Sequence, residues 1–400
     1  MLLRCLAMVC TLLLLAGCVT DGPEPRARPL VILVSIDGFH PDYLERGVTP
    51  VLSKLAAEGA RGAMRPSFPS KTFPNHYTLV TGLVPDRHGV VDNTMTDPAI
   101  PGVTFTQKNS LDGDWWDDAT PVWVSAERAG LKTATLFWPG SEAEIRGVRP
   151  SRYLAFDQSL PSAARADRLL SWLDEGRPAF ATLYFDEVDT AGHDFGPDSP
   201  RLDAALASVD AAIGRLVEGL AARRIAADIV VTADHGMAEI SRDRVIVLDD
   251  VVAMDAIKPT FGWGAYVTLA PVPGREAEVA QALSRPHANM TCWTKDRMPE
   301  RFEYGKHVRT PPWFCLPRTG WSIVPRARLA GIRAVGGNHG YDPADPSMRA
   351  VFIGAGPGFR AGSKVTTFDN VDVYPLLMRL LGLQPEPNDG DLTELGPALR

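Results

Sequence analysis

Leu30-Val31-Ile32-Leu33-Val34-Ser35-Ile36 runs without a charge and stops on Asp37-Gly38. A short apolar run with no polar alternation reads as a strand buried on both faces, the kind that builds parallel sheets. Two further runs share this shape. Ala181-Thr182-Leu183-Tyr184-Phe185 comes shortly before Asp189, and Ile229-Val230-Val231-Thr232-Ala233 leads into Asp234-His235-Gly236. Helical patterns separate them at residues 49–59, 120–130 and, as a long amphipathic stretch, 202–223. Strands are also expected at 132–138 and 350–354, and a closing helix at 371–381. This alternation predicts an α/β fold whose central, mostly parallel sheet is flanked by helices. Between 261 and 325 the texture changes to Pro, Trp and Arg, with a strand-like run at 264–269 and a helix over 275–283. That segment predicts a small inserted α+β lobe.

The chain has 400 residues, 45% hydrophobic and 22% charged, with a formal net charge of −7. Such a composition suits a large globular core and excludes wholesale disorder. The charge gives no basic footprint for duplex nucleic acid, so no stable nucleic-acid partner is expected. Met1-Leu2-Leu3-Arg4, an apolar stretch to Leu15, and Ala16-Gly17-Cys18 together resemble a bacterial lipobox. Residues 1–18 are therefore read as a lipoprotein signal peptide, 19–28 as a Pro-rich tether and 29–400 as the folded domain. The expectation is export to the bacterial periplasm with a lipid on Cys18 as membrane anchor. Of five cysteines, Cys5 and Cys10 leave with the signal and Cys18 carries lipid. Cys292 and Cys315 remain in one exported segment, which suggests a disulfide, with two buried free thiols as the alternative.

Open parallel sheets bind ligands at the carboxyl ends of their strands, so Asp37, Asp189 and Asp234 should converge on one edge. His193 follows Asp189 by four residues, His235 follows Asp234, and Gly336-Gly337-Asn338-His339-Gly340 arrives late in the chain. Three carboxylates and three imidazoles, with no cysteine nearby, suit two zinc ions in a catalytic site and point to hydrolysis. Asp189 and His193 alone would be a weak motif. Asp234-His235 is stronger, because two polar side chains at a buried strand end must find partners or bear the cost of desolvation. Pro69-Ser70-Lys71-Thr72-Phe73-Pro74-Asn75-His76 precedes an apolar helical run, and Pro74 fits a first helical turn. Thr72 then sits at a helix N-terminus, where it is either a cap or a nucleophile activated by a metal. Sequence physics alone leaves both open.

Lys71-Thr72-Phe73-Pro74-Asn75-His76, Thr81-Gly82-Leu83, His88-Gly89-Val90 and Asn93 together resemble the nucleotide pyrophosphatase/phosphodiesterase family of the alkaline phosphatase superfamily. The resemblance continues through Trp138-Pro139-Gly140-Ser141, Asp189 with His193, Asp234-His235-Gly236-Met237 and Gly340-Tyr341-Asp342. It implies an alkaline phosphatase-like catalytic domain with one zinc on Asp37, Thr72, Asp234 and His235, and a second on Asp189, His193 and His339. It further implies that Thr72 forms a covalent phospho-threonine intermediate while Asn93 donates to a phosphoryl oxygen. Phosphodiester and phosphoanhydride bonds would be cut to release nucleoside 5′-monophosphates. Phe73 and Tyr153 match positions that sandwich a nucleobase, with core packing as their plain alternative. His76 and His88 are expected to be structural, and Lys71 to point away from the nucleophile. The rival readings are a phosphomonoesterase, a lipid-headgroup phosphodiesterase, and, from a different class, a non-catalytic zinc-binding surface lipoprotein.

Overall fold

The computed structural model describes residues 30–400. The signal segment, Cys18 and the tether lie outside the described residues. No helix among those described is long and apolar enough to cross a membrane.

A nine-stranded sheet forms the centre, in the order Ser363–Lys364, Ala60–Arg65, Ala350–Ala355, Ala227–Thr232, Leu30–Ile36, Phe180–Phe185, Thr133–Leu136, Arg152–Leu154, with Phe368–Asp369 also paired to Ala60–Arg65. Leu30–Ile36 pairs in parallel with Phe180–Phe185 on one side and Ala227–Thr232 on the other. That central place is why it tolerates no charge: all of its residues are buried. The register sets Ser35 opposite both Tyr184 and Thr232, so the three strands end together. Asp37 and Asp234 therefore emerge side by side, and the helix Glu187–Phe195 carries Asp189 to the same edge.

The sheet is mostly parallel, as the alternation of elements predicts, with one reversal. Ala350–Ala355 runs antiparallel to both Ala60–Arg65 and Ala227–Thr232. An apolar run encodes burial and not direction, so this reversal is silent in the sequence. Helices Pro50–Glu58 and Ser162–Glu175 both pack against Pro200–Ala222, and Thr72–Thr81 and Val122–Arg128 both pack against Val373–Leu381. The long helix starts where Pro200 follows Ser199, whose hydroxyl accepts from the Leu202 amide at 3.2 Å. Thr72–Thr81 is buried along its whole length and closes on Gly82 at φ +66°, where a Cβ would strike the Tyr374 ring at 2.8 Å.

The inserted lobe is a four-stranded antiparallel sheet, in the order Ile257–Phe261, Val267–Pro271, Trp313–Pro317, Met290–Thr294, with the helix Glu276–Leu283 beside it. It begins at Ile257, earlier than the expected residue 261, because the change in composition lags behind the first strand. Leu269, Val279, Leu283, Met290 and Trp313 give the lobe a core of its own. Cys292 and Cys315 face each other across adjacent strands and are joined in a disulfide. Replacing both by serine should lower the unfolding free energy by about 3 kcal/mol through loss of loop constraint. Denaturant titration of the two proteins checks this, and an unchanged midpoint would show that the bridge constrains nothing.

Tyr266 stacks on Phe314 at 4.8 Å, Phe314 contacts Phe68 at 5.0 Å, and the Tyr304 hydroxyl donates to the Val91 carbonyl at 3.2 Å. The lobe thus braces the segments on either side of the helix that begins with Thr72.

Candidate metal centre and active site

Two clusters form at the carboxyl edge of the sheet. Asp37, Asp234 and His235 make one, and Asp189, His193 and His339 the other. In the first, His235 Nε2 lies 2.9 Å from Asp234 Oδ2 and 3.5 Å from Asp37 Oδ1. In the second, Asp189 Oδ1 lies 3.5 Å from His193 Nε2 and 3.6 Å from His339 Nε2. The His235 and His339 rings stack at 3.5 Å, so the clusters adjoin.

The tautomers decide what these clusters fit. His235 Nδ1 is 2.9 Å from the Gly236 carbonyl, His193 Nδ1 2.8 Å from that of Gly337, and His339 Nδ1 2.8 Å from that of Ser70. A carbonyl only accepts, so each Nδ1 carries the proton and each Nε2 presents a lone pair. The Nε2 atoms of His193 and His339 then face each other at 3.1 Å as two acceptors. Asp37 Oδ1, Asp234 Oδ2, Asp189 Oδ1 and His235 Nε2 are likewise buried without a hydrogen-bond donor. Acceptors crowded on acceptors in a buried site are unfavourable unless cations lie between them. Oxygen and imidazole donors, with the remote ring nitrogens held by carbonyls, fit zinc.

Electrostatics agree. Burial, then the Asp234 and Asp189 charges, push the Asp37 carboxyl well up, and burial with the Asp189 charge raises Asp234. Burial holds His235 and His339 below their ordinary value, which keeps both rings neutral and able to ligate.

Other contacts fix these side chains in place. The Tyr184 hydroxyl donates to Asp37 Oδ2 at 2.6 Å, and the Gly38 amide to Asp234 Oδ1 at 3.2 Å. Gly38 adopts φ +69°, and a Cβ there would press on the Asp189 backbone at 3.2 Å, so only glycine lets Asp37 and Asp189 approach. His76 is wholly buried, linking Ser35 Oγ at 2.8 Å to the Thr72 carbonyl at 2.8 Å, and burial lowers its pKa to about 3. His88 is also wholly buried, bonded to Thr78 Oγ1 at 3.0 Å and to the Val90 amide. The Lys71 ammonium is 3.5 Å from the His339 carbonyl and 5.6 Å from the Tyr266 ring centre.

Thr72 is the first residue of its helix. The capping residue Lys71 makes no side-chain cap, and Asn93 does this from elsewhere: its Oδ1 accepts from the Phe73 amide at 2.8 Å. With its oxygen so engaged, the Asn93 amide N–H groups are left to donate beside Thr72.

Thr72, Asp37 and Asp189 border a cavity of about 440 Å³ that Phe73 and Phe156 also line. Tyr153 does not border it. The strand Arg152–Leu154 ends before the chain turns over the carboxyl edge, so Tyr153 stays on the edge strand, 42% exposed, and Phe156 reaches the cavity. The structure thus places Phe156 at this cavity, and not the Tyr153 expected from the resemblance. Phe156 sits 5.4 Å from Phe137 and 5.8 Å from Tyr184, and its amide donates to Glu142 Oε1 at 2.7 Å. Phe73 is backed by Phe105 at 5.5 Å and Trp116 at 6.1 Å. Sequence reasoning missed Tyr184, Glu142 and Phe156 as site residues. Only the place of Tyr184 near the end of an apolar strand hinted at its role.

Residues 31–342 match the family model described as type I phosphodiesterase / nucleotide pyrophosphatase. The chain belongs to this family. An uncharacterized pyrophosphatase/phosphodiesterase of Schizosaccharomyces pombe is 38% identical over 90% of this chain and 78% of its own length. The human ectonucleotide pyrophosphatase/phosphodiesterase family member 1 is 36% identical over 94% of this chain, which spans only 42% of that longer protein. Bis(5′-adenosyl)-triphosphatase enpp4 of Xenopus laevis is 32% identical over 96% of this chain and 85% of its own length. Among solved structures, murine ectonucleotide pyrophosphatase/phosphodiesterase 5 superposes with a TM-score of 0.88 at 33% identity, covering 93% of this chain and all of that one. An inactive T72A form of that murine protein, in complex with AMP, superposes equally well. The family is one of hydrolases of the nucleotide pyrophosphatase/phosphodiesterase type, and this chain keeps the fold of that solved structure over 93% of its length.

Proposed function

We propose that the protein is a zinc-dependent nucleotide pyrophosphatase/phosphodiesterase that releases nucleoside 5′-monophosphates through a covalent threonine intermediate. The observation that carries this is the set of buried, donor-less carboxylate oxygens and imidazole lone pairs beside a threonine at a helix N-terminus. Asp37, Asp234, His235 and Thr72 would hold one zinc, and Asp189, His193 and His339 the other. When bound, the two ions supply Lewis-acid stabilisation of phosphoryl charge and lower the pKa of hydroxyl groups.

The chain's own residues account for the rest. The Thr72 hydroxyl gives up its proton to solvent as Oγ1 forms a bond to phosphorus and the bond to the leaving oxygen breaks, and that oxygen keeps the electron pair. Asn93, fixed by the Phe73 amide, donates to a non-bridging oxygen as charge develops there. Water then attacks from the side the leaving group vacated, the bond from phosphorus to Thr72 Oγ1 breaks and a proton returns to that oxygen, so two inversions give net retention at phosphorus. Tyr184 keeps the Asp37 carboxylate aimed inward. Phe73 and Phe156 would hold the base between them, which orients phosphorus toward Thr72.

Stacking on an aromatic ring is worth about 1–3 kcal/mol, or roughly five- to a hundred-and-fifty-fold in kcat/KM. Phe156→Ala should therefore weaken nucleotide substrates by that factor and spare a base-free diester, while Tyr153→Ala leaves both within about twofold. Kinetics on the two substrate types check this. Equal losses on both would make Phe156 a packing residue. Comparing a phosphodiester with a phosphomonoester of the same leaving group tests the reaction class, since a faster monoester would overturn the diesterase reading.

We also propose that the protein is exported to the periplasm and anchored through lipid on Cys18, as the lipobox suggests. The intact mass of the mature protein from its native host should show an N-terminal acylated cysteine, and an unmodified Cys18 would refute the anchor.

A further inference from the structure

The two members of the Asp189–His193 pair border different cavities. Asp189 borders the one that holds Thr72, and His193 borders a second, of about 270 Å³. We propose that this second cavity receives the pyrophosphate portion of a nucleoside triphosphate, bound by Arg333. The inference rests on the reading of Thr72 as nucleophile.

An in-line displacement puts the leaving group on the face of phosphorus opposite the attacking oxygen. His76 Nδ1 lies 2.8 Å from the Thr72 carbonyl and 3.5 Å from Asp234 Oδ2, which sets Thr72 on the side of Asp37 and Asp234, so the opposite face belongs to Asp189, His193 and His339. His193 is the ligand of its cluster most open to solvent, its side chain 36% exposed against 18% for Asp189 and 3% for His339. His193 is also the member of this cluster that borders the second cavity.

The cavity is equipped for an anion. The Arg333 guanidinium lies 3.5 Å from the His193 carbonyl, and Arg333 is the single lysine or arginine among the described residues that border the space. Asn338 Oδ1 accepts from the His339 amide at 2.9 Å, which leaves its amide N–H groups to donate. Asp194 is the one carboxylate on the border, and it pairs with Arg333. With side-chain exposures of 54% for Arg333 and 39% for Asp194, that pair is partly solvated and worth little, so a polyphosphate with several charged oxygens can displace the carboxylate.

The test uses the zinc-loaded, full-length protein carrying Thr72→Ala, so that binding is read without turnover. Calorimetry should show Arg333→Ala weakening adenosine triphosphate about tenfold while adenosine monophosphate changes less than twofold. Asp194→Asn, which releases the guanidinium, should tighten the triphosphate alone. In the active protein, kcat/KM for the triphosphate should fall with Arg333→Ala, and that for a nitrophenyl nucleoside monophosphate should not. An unchanged triphosphate affinity, or equal losses for both nucleotides, would overturn the assignment. A failure of the nucleophile reading shows itself separately, as turnover surviving Thr72→Ala.

Discussion

Thr72→Ala is expected to remove turnover by roughly four orders of magnitude or more while the fold and most of the bound metal remain. The helix it opens is buried throughout and capped from outside by Asn93 on the Phe73 amide, so neither depends on the threonine hydroxyl. Six ligand side chains persist without it. Without the hydroxyl no phospho-threonine bond forms, and denatured enzyme quenched during turnover should carry no phosphate, in contrast to the unmodified protein. Residual activity within tenfold of normal would mean that water attacks phosphorus directly and that Thr72 is only a cap.

Chelation should abolish activity, and zinc should restore it at two ions per chain. Asp234→Asn or His339→Ala should lower zinc content toward one and reduce kcat by at least about a hundredfold, since each changes a ligand itself and not merely an outer contact. Metal analysis finding a single ion in fully active protein would sink the two-metal reading. Removal of the metal also has a pH signature. In the metal-free protein Asp37 is pushed well up, and Asp234 is raised to about 8 by burial and the Asp189 charge. A carboxyl raised above its unfolded value of about 3.9 contributes stability at low pH and loses it as pH climbs through the folded value. Below about pH 6.5 the neutral, buried His235 and His339 give the opposite slope, because they resist the proton that the unfolded chain accepts. Between about pH 6.5 and 8 the carboxylates prevail, so metal-free protein should become less stable as pH rises. Zinc needs deprotonated ligands, so the loaded protein should show the reverse trend. Thermal melts across this interval, with and without zinc, decide the matter, and parallel slopes would contradict it.

The residues that were legible in the sequence share a physical signature. A carboxylate that ends an uninterrupted apolar run, as Asp37 does, has no local partner, and its position demands a ligand. Asp189 and His193 gain meaning only from the strand that delivers their helix to the same edge. Tyr184 hides within an apolar strand, where a tyrosine reads as core, and its hydroxyl finds Asp37 solely through the parallel register. Tyr153 and Phe156 are both aromatic, and which of them reaches the cavity depends on where a three-residue edge strand lets go of the sheet. Strand direction was illegible for Ala350–Ala355 for a related reason: buried strands look alike whichever way they run.

Leu30–Ile36 enters the middle of the sheet at its amino edge and delivers Asp37 at the other. Seven residues of strand span about 23 Å, roughly the full depth of the sheet. Leu30 itself therefore lies at the edge of the sheet opposite the catalytic mouth. A lipid, a resin bead or a fused carrier at that end would leave the opening turned outward, and bulky polyphosphates would approach it without steric hindrance from the support. Attachment through the carboxyl edge would do the opposite, so the polarity of one strand dictates how the enzyme can be immobilised and remain open to its substrates.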